Sequence, residues 1–351
     1  MKFKKNFSQI IDRNRLLWSG QFSNRILAKI DIGHSATMRM WEKVLSPEYC
    51  PDYVKMFDFF YDEFSKRENL LDDAMPTARP NIGDYAFGAY LGAEVIFAET
   101  GGYSKPFLKN LKDMASIKYN KENKWISWLM AATRYFAEKS QGLFATSIIE
   151  TMDSLNFAEN AYGSNAYIEI NDHPKEMLEI FELAMDFNIK LIEEQRMYIK
   201  AHNGGYFDLH EEWLPGNCIW LSVDSWGNCS IETFKKYGKL HLQKIIDYFG
   251  YGWIHMHSSH LHLLQEISKV NNILGIGILD DPGSIKCFDI IKDIKRNTKG
   301  LPLQINCNKN QFLEALKIKE LPGNIMYWID SGINDITEAN NIMDMVYEYK
   351  A

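Results

Sequence analysis

Two histidines one residue apart are the sharpest chemical feature of the chain. His255 and His257 stand in Trp253–Leu264 (WIHMHSSHLHLL). Side chains on a strand alternate between faces, so these two imidazoles point to the same side. Such a pair suits a metal such as zinc, which takes imidazole, thiolate and carboxylate ligands. It also suits hydrogen bonding to an anionic substrate, or to a carboxylate such as Asp280. A metal needs a third ligand. Asp330, at the end of another apolar run, is the best placed, while Cys218 and Cys229 flank the preceding run and are weaker choices. His260 and His262 continue into the following helix and read as helix-start or supporting residues.

The elements that position these residues are legible in the second half of the chain. Short apolar runs alternate with helical stretches. Ile219–Val223 precedes a helical pattern over Ile231–Phe249, and Gly252–Met256 precedes Leu261–Val270. Gly275–Leu279 precedes Ser284–Arg296, and Pro302–Asn306 precedes Asn310–Ile318. Asn324–Ile329 precedes Asn334–Tyr349. Repeated strand–helix units with unbroken apolar strands predict a parallel sheet covered by helices. From the pattern alone, a closed (β/α)8 barrel and an open doubly wound sheet are both compatible. Each run delivers polar residues at its C-terminal end: Asp224, His257, Asp280 with Asp281, Asn306 with Cys307, and Asp330 with Ser331. Both architectures gather their ligand sites at those ends. Turns favour Asp, Asn and Ser for capping alone, but capping does not account for paired histidines.

Asp224 and Asp280 are therefore expected to orient the histidines or to act as acid and base. Trp220, Ser222, Trp226, Asp281 and Asn306 are expected to line the substrate pocket. Trp213 and Trp253 fall in the same stretch and read as core or stacking surfaces.

The first half is less explicit. Val54–Phe64 and Trp125–Gln141 read as helices. A long helix is expected from Pro174 to about Ala201, with Pro174 in its first turn and Asp172 as its cap. Glu94–Ala98 reads as a strand, and Gly83, Gly88 and Gly92 form no phosphate-binding fingerprint. Over 351 residues, 46% are apolar and 24% charged, as in a folded globular chain. Net charge is −7, so the basic excess of a nucleic-acid binder is absent. No apolar run is long enough to span a membrane, and Met1–Arg15 lacks the apolar core of a signal peptide. A cytoplasmic protein is expected. Cys50, Cys218, Cys229, Cys287 and Cys307 are odd in number, with no CxxC pair, which argues against a disulfide framework.

The runs Leu221–Ser230 (LSVDSWGNCS), Phe249–Leu264 (FGYGWIHMHSSHLHLL) and Leu274–Pro282 (LGIGILDDP) resemble the uroporphyrinogen decarboxylase superfamily. The corrinoid-dependent methyltransferases belong to it, and the C-terminal domain of cobalamin-independent methionine synthase is similar. Tyr85–Thr100 and Asn171–Glu176 match more loosely. The resemblance implies a (β/α)8 TIM barrel over 81–351, with an additional N-terminal helical section over 1–80 packed on it as one structural domain. It implies a methyltransferase moving a methyl group between a small substrate and a corrinoid on a partner protein. A zinc ion on His255, His257 and Asp330 would serve that reaction. The sequence departs from the family at two places. The Arg13–Arg15 region does not reproduce the arginine pair with which the decarboxylases grip an acidic macrocycle. His257 stands where the methyltransferases carry a cysteine, so the thiolates of their zinc site are missing. Such a site favours activation of an oxygen or water ligand over a soft thiol. A metal-independent lyase or decarboxylase acting on a carboxylate-bearing substrate is the alternative.

Overall fold

A computed structural model describes residues 1–33, 40, 42–83, 86–98 and 101–351. Part of the run Tyr85–Thr100 therefore lies outside the described residues. The fold is mixed α/β. Its strands are β1 (Ile26–Ile30), β2 (Thr77–Ala78), β3 (Val95–Ala98), β4 (Gly101–Ser104), β5 (Ala145–Thr146) and β6 (Gly205–Phe207). They continue as β7 (Trp213–Pro215), β8 (Ile219–Ser222), β9 (Gly252–His257), β10 (Ile273–Leu279), β11 (Leu303–Asn308) and β12 (Ile325–Ser331). A six-stranded parallel sheet runs β1-β12-β11-β10-β9-β8. Every strand predicted in the second half is present within it.

Both ends of this sheet continue in hydrogen bonds. A parallel bridge joins Thr151 to Leu221 of β8, and β5 pairs with β2 in parallel. At the other end, the amide of Asp73 donates to the carbonyl of Ala28, 2.8 Å away. The carboxylates of Asp73 and Asp72 accept the amides of Ala28 and Ile30, each at 2.9 Å. These side chains satisfy strand groups that the short β2 does not reach. Arg13 closes on Asp73 with two hydrogen bonds, at 2.5 and 2.9 Å, and Lys4 pairs with Asp72. Arg13 thus belongs to the scaffold under β1.

Residues 1–80 supply the short β2 and a full strand as well as helices, because β1 pairs along its length with β12. Their helical composition hid it: β1 is a single short run with Lys29 inside it. Glu94–Ala98 is β3, but it forms an antiparallel hairpin with β4 apart from the main sheet. The long helix covers Pro174–Arg196 with Pro174 in its first turn as expected. Asp172 does not cap it; it ends the preceding helix, Asn165–Asp172. Leu261–Val270 begins inside a 3₁₀ turn, Ser258–Leu263, and is α-helical only over the single turn Leu264–Ile267. No helix among the described residues is long and apolar enough to cross a membrane.

The core follows from the unbroken apolar strands, which are buried on both sides. A glycine shapes it near the site. A Cβ on Gly277 of β10 would lie 2.1 Å from the Trp253 ring. The missing side chain lets that indole lie across β10 and fixes the floor beneath His255.

Candidate active site

Sheet register assembles the site. Ser222 of β8 pairs with His255 of β9, and His255 with Gly277 of β10. His257 pairs with Leu279 one step further on. The residues just past β8 and β10, Asp224 and Asp281, therefore flank His257. All five polar groups open into a cavity of about 750 Å³, large enough for a small-molecule ligand.

Hydrogen bonds define the roles of the nitrogens. Nδ1 of His257 lies 2.7 Å from Oδ1 of Asp281. A carboxylate only accepts, so this nitrogen carries a proton, and in the neutral imidazole Nε2 keeps its lone pair. That Nε2 lies 3.2 Å from Nε2 of His255 and 3.6 Å from Oδ1 of Asp224. Oδ1 of Asp224 is buried without a hydrogen-bond partner, while Oδ2 accepts from the Ser222 hydroxyl at 2.5 Å. Three possible ligand atoms thus converge, on His255, His257 and Asp224, all within 4.8 Å of one another.

Burial sets the electrostatics. It pushes the His255 imidazole down to about 4, with Asp224 opposing and His257 adding to the shift. His255 is therefore neutral at neutral pH, the form that coordinates metals. Burial alone would raise the Asp281 carboxyl, but its hydrogen bond from Ser259 and the neighbouring His257 outweigh that and hold it below the usual range.

Other residues singled out in the sequence take different places. Trp220 lines the cavity, its ring stacked on His255 at 5.3 Å and 18°. Asp330 does not join the histidines: it accepts from Asn306 at 3.3 Å and from Ser331 at 2.8 Å. Those strands lie farther along the sheet, with β10 and β11 between β12 and β9. Neither Asp330 nor Asn306 lines the cavity. Asp280 turns away, accepting the amide of Cys287 at 2.9 Å as a loop cap. Side chains alternate along an extended chain, so Asp281 faces the site and Asp280 does not. Trp226 is buried against Phe181 and Phe234, outside the cavity. Cys218 and Cys229 are absent from the converging group. His260 lines the cavity, and His262 bonds the carbonyl of Cys229 at 3.0 Å.

Sequence reasoning missed Lys29, Arg79, Glu150, Glu159, His210 and Trp328, all lining the same cavity. Two signals were available: a lysine inside the apolar run ILAKI, and the polar cluster DLHEE at Asp208–Glu212.

The fold and this cavity define a mixed α/β protein with a polar, histidine-bearing site at the ends of parallel strands. The structure is similar to that of a methyltransferase from Methanosarcina mazei, with a TM-score of 0.60 over 97% of this chain and 98% of the other. Identity is 11%, so the likeness is one of fold. No family model and no curated protein sequence matches the chain.

Proposed function

We propose that the chain is a methyltransferase that exchanges a methyl group between a small substrate and a corrinoid on a partner protein. The observation that carries this reading is the convergence of Asp224, His255 and His257 on one point of a substrate-sized cavity. The similar fold of a methyltransferase supports it. On this reading β1, β2, β5, β8, β9, β10, β11 and β12 are the staves of a (β/α)8 barrel, and the cavity is its mouth.

The residues fit a zinc ion. Zinc–nitrogen and zinc–oxygen bonds of about 2.0–2.1 Å place neighbouring corners of a tetrahedron about 3.3 Å apart. The ligand atoms here stand 3.2 and 3.6 Å apart. Asp281 would hold the His257 ring in the coordinating tautomer, as carboxylates commonly do behind metal-bound histidines. Ser222 would steer Asp224 by occupying its other oxygen. Bound zinc would supply a Lewis acid that polarises a substrate oxygen or nitrogen. Trp220 closes the site on the His255 side and keeps water from that face.

The test is methyl exchange with free methylcobalamin or cob(I)alamin, followed by the visible spectrum, across a panel of methylated small molecules. Turnover that disappears in Asp224→Ala supports the reading. No spectral change with any donor, together with loss of carbon dioxide from a carboxylate substrate, would replace it with the lyase reading.

A further inference from the structure

His210 sits in the loop between β6 and β7, beside the converging ligands but not among them. It rests on the preceding reading only in taking the large cavity as the substrate's. The loop is built to fix this ring. The carboxylate of Asp208 accepts the backbone amides of His210 at 3.0 Å and Glu212 at 2.8 Å. Trp220, Trp253 and His255 pack edge-on around the imidazole, at centroid distances of 5.5, 5.3 and 5.4 Å.

The tautomer is fixed as well. Gln304 of β11 donates its Nε2 to Glu212 at 2.6 Å. Its Oε1 is then the atom 3.1 Å from Nδ1 of His210. A carbonyl oxygen only accepts, so Nδ1 carries the proton. Nε2 keeps a lone pair, and no group among the described residues donates to it. His210 lines the cavity, so this lone pair is offered to whatever fills it. The surroundings select the donor. Lys29 reaches the carbonyl of His210 at 3.2 Å and lies 3.9 Å from the Trp328 ring, which puts an ammonium beside the loop. Glu211 pairs with that ammonium at 3.5 Å, and a neutral hydroxyl can donate to the imidazole lone pair with no charge of its own to bury.

We propose that His210 is a specificity-determining residue that accepts a hydrogen bond from a neutral hydroxyl of the substrate, next to the end held by His255. The ring's edge-on packing makes the acceptor rigid, so the donor is read in one direction only.

The experiment uses the whole 351-residue chain with two fluorinated probes of similar shape, para-fluorophenol and para-fluorotoluene, with affinities read by ligand-observed fluorine NMR. One neutral hydrogen bond corresponds to about a tenfold preference for the phenol. His210→Phe should abolish that preference and leave para-fluorotoluene affinity within about twofold. A second variant, Gln304→Met, leaves the ring in place but removes the acceptor that fixes its tautomer. It should reduce the preference by at least about threefold. Equal affinity of both probes in the wild type, or a preference that survives both variants, overturns the proposal. Metal content is measured on the same samples. A metal-free protein that still prefers the phenol would sink the zinc reading and leave the role of His210 standing.

Discussion

Replacing Asp153 by Asn should make the protein more stable, by an amount that grows with pH. Asp153 is buried and starts the helix Ser154–Tyr162, where its Oδ1 accepts the amide of Asn156 at 2.8 Å. Its Oδ2 is buried with no hydrogen-bond partner. Burial pushes this carboxyl up from 3.8 to about 8, although the backbone hydrogen bond from Asn156 opposes the shift. The folded state therefore keeps a proton that the unfolded chain releases near 3.8. A raised folded value means the contribution is whole below pH 3.8 and is lost as pH rises toward 8. Each unit is worth about 1.4 kcal/mol, so four units amount to about 6 kcal/mol. Asn keeps the capping acceptor and does not titrate. Urea denaturation of Asp153→Asn and wild type between pH 5 and pH 8 measures the difference. The midpoints should separate steadily as pH rises, with the variant above. A variant that is less stable at pH 8, or a gap that does not change with pH, would refute the reasoning.

Three further outcomes follow from the same structure. Asp281→Asn removes the carboxylate that fixes His257, and zinc affinity should drop about 10- to 100-fold in a chelator competition; an unchanged affinity would deny Asp281 that role. Arg13→Met breaks the buried pair with Asp73 beneath β1 and should cost about 3–5 kcal/mol in denaturant melts, far more than a surface arginine. Gly277→Ala drives a methyl group into the Trp253 ring and should cost about 1–3 kcal/mol, with an altered near-ultraviolet tryptophan signal. A silent Gly277→Ala would mean that the indole floor is not rigid.

Much of the scaffold was legible because its strands are unbroken apolar runs. Ile219–Ser222, Ile273–Leu279 and Ile325–Ser331 carry their burial in their composition. The histidine pair was equally plain, since alternation along a strand put both rings on one side. The third converging group was harder. Asp224 and Asp330 both end parallel strands, and sequence gives no spatial order among strands. The sheet puts β8 beside β9 and β12 three places away, which decides between them. Asp280 and Asp281 were distinguishable only by which way the chain leaves β10. Lys29 and His210 were hidden because their function depends on partners far along the chain, Glu211 for one and Gln304 for the other.

Metal content across four proteins tests the central claim most directly: wild type, Asp224→Ala, His257→Ala and Asp330→Ala, each purified without added metal and again after zinc reconstitution. Stoichiometric zinc is expected in wild type and in Asp330→Ala, and its loss in Asp224→Ala and His257→Ala. A wild type that takes up no zinc after reconstitution, or zinc that survives Asp224→Ala and leaves with Asp330→Ala, would contradict it.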